Sequence, residues 1–245
     1  MWNIFLLGVH RLRRISILTA LLGLLTLIIS LFMTAAFPSN REMTNGFSSP
    51  ILAFEFASQE KDIDFLLGDS EEAASLRNQM DTGHLWDMVF LFAYAGLFAA
   101  YMYQELDNGG LPARFGLGLA LLIIPADIHE NLVLMEITGV LEAGGEAEKI
   151  SPLLQVLPLA TWLKWGLIGI VSLLFSLVFY KKKNWLSSVL SLIAGLSVIV
   201  VWFSSSEPVW VERMSGVLAL FFVFLVIRAF FVCGKEWVHA KKQPS

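Results

Sequence analysis

Cysteine is almost missing from this chain: Cys233 stands alone among 245 residues. That excludes an internal disulfide framework, a CxxC redox motif and any multi-cysteine metal centre. Charge is scarce as well. Only 16% of the residues are Asp, Glu, Lys or Arg, against roughly a quarter in soluble domains. No basic domain with interleaved aromatic residues is present, which argues against a nucleic-acid partner. No GxSxG or SxxK stands in a context that would make a serine nucleophile. Four histidines are few, and His84 and His129 differ by several helical turns in depth. That makes a two-histidine zinc site or a bis-histidine haem a strained proposal, so no metal site is assigned and the identity of any cofactor is left open.

What is abundant is apolar length. Hydrophobic residues make up 56% of the chain, and they fall into runs of about 20 residues, enough to cross the hydrocarbon core as helices. The pattern predicts an all-α polytopic membrane bundle of six spans, over 15–37, 85–103, 114–141, 152–180, 186–203 and 210–232. Residues 1–14 form a basic N-terminus and 233–245 a tail. The first run follows Arg11, Arg13 and Arg14 and ends on Ala35-Ala36, so a cleaved signal peptide is an alternative. The run exceeds the ~7–15 residues of a signal core, which favours a retained helix.

The segment 38–82 is the only sizeable polar one, too small to be an independent domain. Ser58 is placed to cap a short helix carrying Ile63, Leu66 and Leu67 on one face, with Gly68 to stop it. Asp69-x-x-Glu72 reads as a capping box opening a second helix to about Met80. The run Ile51–Phe56 holds one glutamate among apolar residues and predicts a piece lying against the membrane or the bundle. Together these make a small helical cap. Asn108-Gly109-Gly110 with Pro112 marks the turn between the second and third spans.

Sorting the charges orients the bundle. Ten basic residues fall on one face: Arg11, Arg13, Arg14, Arg114, Lys181, Lys182, Lys183, Lys235, Lys241 and Lys242. Arg41, Lys61, Arg77 and Lys149 fall on the other, with Arg213 at its edge, and nine acidic residues lie between Pro38 and Gly83. The excess of Lys and Arg predicts cytoplasmic N- and C-termini and an extracytoplasmic cap, in a plasma membrane or bacterial inner membrane. Membrane lipids are then the obligatory partners.

Against this apolar background, Ala126-Asp127-Ile128-His129-Glu130-Asn131 stands out, because ionisable groups at bilayer depth are costly and mark function or tight pairing. Asp127, Glu130, Asn131, Leu134 and Thr138 share one helical face. His129 lies about 200° around from Asp127 and shares its face with Glu136. Pro125 lacks the amide that would bond to Leu121, freeing a carbonyl about one turn below Asp127. Lys164, between Trp162 and Trp165, lies at comparable depth in the fourth span, with Thr161 and Ile168 on its face. In the second span, Asp87 and Tyr94 share a face, with His84 one turn from Asp87. These residues predict a polar cluster between the second, third and fourth spans, in the half of the bundle nearer the cap.

Three functions fit such a cluster. The first is binding or transport of a small or lipid-like ligand reached from the cap side, with Asp127 and Glu130 as acidic centre, Asn131 orienting, Lys164 as counter-charge, and Asp87 and Tyr94 opposite. His84 and His129 are further candidates. The second is an intramembrane enzyme using the same groups for proton transfer on a lipid. The third is a scaffold or assembly protein whose buried charges specify helix packing. For Asp87 and His84 a plainer reading stands beside these, that of solvated groups at a helix end. No inverted repeat is evident, so a carrier of six spans would need a homo-oligomer.

Overall fold

A computed structural model describes residues 2–40, 43, 46–144, 147–204 and 206–241, with side chains described over 14–40, 43, 46–144, 149–204 and 206–238. Of the charges sorted above, Arg41, Glu42 and Lys242 lie outside the described residues, and Arg11, Arg13 and Lys241 are described in backbone only. So are parts of the loop 141–151 and of the tail.

Among the described residues, six helices carry enough length and apolar character to cross a membrane. They are α1 (Trp2–Ala36), α3 (Glu71–Gln104), α5 (Leu111–Glu142), α6 (Ala147–Lys181), α7 (Trp185–Phe203) and α8 (Pro208–Lys241). The described residues also form the short helices α2 (Pro50–Glu55) and α4 (Leu106–Gly109) and a 3-10 helix at Glu60–Leu66. Neighbours pack around a ring: α1 on α3, α3 on α5, α5 on α6, α6 on α7, α7 on α8, and α8 back on α1. Exposed Leu31, Leu159, Phe203, Leu220 and Ile227 cover the outside, the surface that a bundle bathed in lipid chains presents.

Small residues set the closest approaches. A Cβ added at Gly195 of α7 would sit 2.9 Å from the carbonyl oxygen of Gly169 on α6 and 2.5 Å from Leu173 Cγ. One turn of helix after another then continues the contact, with Ser188 Oγ donating to Ser176 O at 2.9 Å. Such small-residue seams let membrane helices touch backbone to backbone.

The segment after α1 folds over one end of this ring. Phe54, Ile63 and Leu66 are fully buried and pack with Met80, Leu134, Ile137, Leu154 and Leu157 from α3, α5 and α6. Arg77 ties the 3-10 helix down, donating from Nη1 to Leu66 O (2.7 Å) and Gly68 O (2.9 Å). Glu212 at the start of α8 accepts from Ser48 N and Ser48 Oγ at 2.6 and 2.7 Å.

Two local features differ from the sequence reading. The N-cap of α3 is Ser70, whose hydroxyl accepts from Ala73 N at 3.1 Å, in place of the Asp69–Glu72 box. The helix it opens does not stop at Met80 but runs without a break into the second span. At the 3-10 helix, Asp62 is the capping group: its Oδ2 accepts from Ser58 N and Gln59 N, both at 3.0 Å.

Candidate functional site

Because α3 starts at Glu71, His84 and Asp87 lie well inside a helix, not at its end. Both are buried, along with Leu91 and Tyr94 on the same face. That removes the reading of the pair as solvated groups at a helix terminus. On α5 the residues Asp127, Glu130, Asn131, Leu134 and Thr138 are all buried, the spacing of one helical stripe turned toward its neighbours. Thr161, Lys164 and Ile168 form the matching stripe of α6.

Lys164 is the hub. Its ammonium donates to Glu55 Oε1 at 2.9 Å, contacts Glu130 Oε2, and stands 3.9 Å from Asp127 Oδ1. It also lies 5.2 Å from the centroid of the Trp165 ring. Glu55 comes from α2, the helix of the segment after α1. Its second oxygen accepts from Trp165 Nε1 at 3.2 Å, and its own backbone carbonyl accepts from Thr161 Oγ1 at 2.6 Å. So α2 is bolted to α6 three times through one residue.

Asn131 is the second hub, and it bridges α5 to α3. Its Nδ2 donates to Asp87 Oδ2 at 2.9 Å and to Asp127 Oδ1 at 3.2 Å. With the amide protons spent, Asn131 Oδ1 is left as the acceptor facing His84 Nδ1 at 2.9 Å. The imidazole proton must therefore sit on Nδ1. His84 Nε2 has no hydrogen-bond partner among the described residues, and the rings of Phe37 and Phe54 lie 5.2 and 6.0 Å away. Tyr94 closes the far side, its hydroxyl donating to Asp127 Oδ2 at 2.5 Å. Farther along α5, Thr138 donates to Asp81 Oδ1, also at 2.5 Å.

Seven of the eight residues singled out from the sequence thus share one network: Asp127, Glu130, Asn131, Lys164, Asp87, Tyr94 and His84. His129 does not join it. It is exposed on the outer surface, as is Glu136 one helical stripe along. The member that sequence reasoning missed is Glu55. The signal was there, a lone carboxylate within the apolar run Pro50–Phe56, but nothing in the sequence pairs it with a lysine 109 positions away.

The charge balance is uneven. Glu55, Asp87, Asp127 and Glu130 surround one ammonium. In a low-dielectric interior that excess has to be offset by bound protons or by a further cation. Beside the network lies a cavity of about 410 Å³, bounded by α1, α2, α3, α5, α6 and α8, and Glu55, Asp87, Tyr94, Asp127 and Lys164 line it. Among the described residues no group of three His, Cys, Asp or Glu side chains is disposed to hold a metal ion.

No family model, curated protein or solved structure matches this chain. Its functional reading therefore stands on this geometry.

Proposed function

We propose that the protein is a membrane scaffold or assembly protein whose buried charge network holds α2, α3, α5 and α6 in register. The supporting observation is the connectivity. Apart from the bond of Asn131 to Asp127 within α5, the polar contacts described for the network join residues distant in sequence, and Glu55 clamps the cap segment onto Lys164. Buried ion pairs are weak sources of net stability, yet they penalise misregister heavily, because a slipped helix leaves a charge unpaired in the interior. The charge sorting supports the finer topology, with both termini in the cytoplasm and the cap outside.

The test uses two readouts. Glu55→Gln keeps the shape but weakens the clamp. It is expected to cost about 1–3 kcal/mol and to raise protease cutting in 38–70. An exposed cap position, introduced as Lys61→Cys in a Cys233→Ser background, is expected to react with a membrane-impermeant maleimide on intact cells. Unaltered unfolding and unaltered cutting in Glu55→Gln would overturn the clamp. Labelling only after lysis would overturn the orientation.

A second reading has one observation of its own. The network is not sealed: Asp87, Asp127, Glu55 and Lys164 reach the 410 Å³ cavity, within the roughly 300–1,000 Å³ of small-molecule sites. That supports binding of a ligand there, for carriage or for chemistry on a lipid.

A further inference from the structure

We infer that this cavity is a binding site for a hydrophobic ammonium, an amine cation on an apolar or aromatic body, taken up between α1 and α8. The inference rests on the ligand-cavity reading above and adds the chemical class.

Three of the four network carboxylates border the cavity, and two of them are already committed. Glu55 has Lys164 on one oxygen and Trp165 on the other. Asp127 has Asn131 on one oxygen and Tyr94 on the other. Asp87 differs. It is 7% exposed and lines the cavity, and among the described residues its one hydrogen bond is the one that Oδ2 accepts from Asn131. A buried carboxylate on a cavity wall with hydrogen-bonding capacity to spare, in a cluster short of positive charge, calls for a donor that carries charge.

The walls define the rest of the ligand. Phe90, Phe222 and Trp165 offer aromatic faces, which favour a cation with an apolar body over a hydrated inorganic ion. An anion is disfavoured by the acid excess, since Lys164 is already shared by Glu55 and Glu130. The rim residues Thr34, Ala219 and Val223 are exposed, so the mouth lies between α1 and α8, on the apolar flank of the bundle. A hydrophobic amine partitioned into lipid would arrive there head first.

The same chemistry comes from two sources, a free amine or the primary amine of a lipid headgroup. The test uses the full chain in maltoside micelles, titrated calorimetrically with phenethylammonium, its neutral counterpart 3-phenylpropan-1-ol and the anion 3-phenylpropanoate, against empty micelles. Saturable binding of one phenethylammonium per chain is expected, at least about tenfold tighter than either control. Asp87→Asn should weaken it by about tenfold or more, and Glu136→Gln, on the outer face, should leave it unchanged. Should Asp87→Asn fold poorly, Val223→Trp at the mouth provides the second check, since it blocks the cavity without touching the network. In nanodiscs, a several-fold higher Kd with phosphatidylethanolamine than with phosphatidylglycerol would identify the lipid amine as the source, and equal values the free amine. Equal affinity for the alcohol would overturn the ammonium class but keep a ligand cavity. Failure of all three probes to saturate would remove the ligand cavity too, leaving the charge clamp standing. Binding unaffected by both Asp87→Asn and Val223→Trp would place the site elsewhere and overturn the inference.

Discussion

The two ends of the bundle solve the same problem in opposite ways. Toward Lys181–Lys183 the interior is largely apolar and aromatic. Phe98 stacks on Phe222 with ring centroids 5.0 Å apart and meets Phe175 edge-on at 5.5 Å. The buried hydroxyl of Tyr101 there is satisfied by a backbone carbonyl, Leu225 O at 2.6 Å. Toward the cap the interior is ionic, built on Lys164 and Asn131. Aromatic packing responds to substitution in graded steps, by the volume removed. An ionic lattice responds abruptly, because removing one partner strands another. Tyr94 stands on the seam. Its ring packs on Phe222 at 5.5 Å and Phe90 at 5.1 Å, while its hydroxyl serves Asp127.

The largest effect should come from the ionic end. Lys164→Met keeps the length of the side chain and removes the only cation from among four carboxylates. A loss of about 3–5 kcal/mol is expected, read as a lowered unfolding midpoint in mixed micelles. Adding Glu130→Gln should recover part of it, because one stranded charge is removed; a double variant no better than Lys164→Met alone would show that the contact is not ionic. Phe175→Leu at the aromatic end should cost only about 1–2 kcal/mol. If the two losses came out equal, the contrast between the ends would fail.

Tyr94→Phe tests the seam. The ring contacts survive and only the donor to Asp127 goes, so the expected loss is about 1.5–3 kcal/mol. A neutral outcome would assign Tyr94 wholly to the aromatic half.

The stripes on α5 and α6 were legible in the sequence because they are local. Asp127, Glu130 and Asn131 repeat at helical spacing, and a carboxylate at that depth has to turn inward. The same reasoning separated His129 from Asp127 by phase, and the structure puts His129 outside. Glu55 was not legible as a partner of Lys164, since a six-residue helix carries no periodic signal that aims it at a distant span. Nor was the continuity of α3 legible. The capping signal predicts a helix ending near Met80 and the apolar run a span beginning at 85, but Asp81 is held by Thr138 and His84 by Asn131. Gly83 between them lets Phe37 lie against the helix, where an added Cβ would come within 2.3 Å of the ring. Tertiary partners, absent from local sequence, keep that helix from ending.

The smallest effect should come from the ion pair that most resembles the buried one. Lys182 contacts Glu105 at 2.8 Å, and Lys164 contacts Glu55 at 2.9 Å. Geometry alone would rank them equal. Burial separates them: the Lys182 side chain is 39% exposed and that of Lys164 only 6%. Water and salt reach the ammonium of the first pair, although Glu105 is as buried as Glu55, with side chains 6% and 5% exposed, so Lys182→Ala should lower stability by less than Lys164→Met does, by about 1 kcal/mol. That loss should shrink further between low salt and 1 M salt, where the screening length falls to about 3 Å. The loss in Lys164→Met should hardly move over the same range. If both variants responded to salt alike, the network around Lys164 would be open to water, and the ionic end would be a hydrated site and not a clamp.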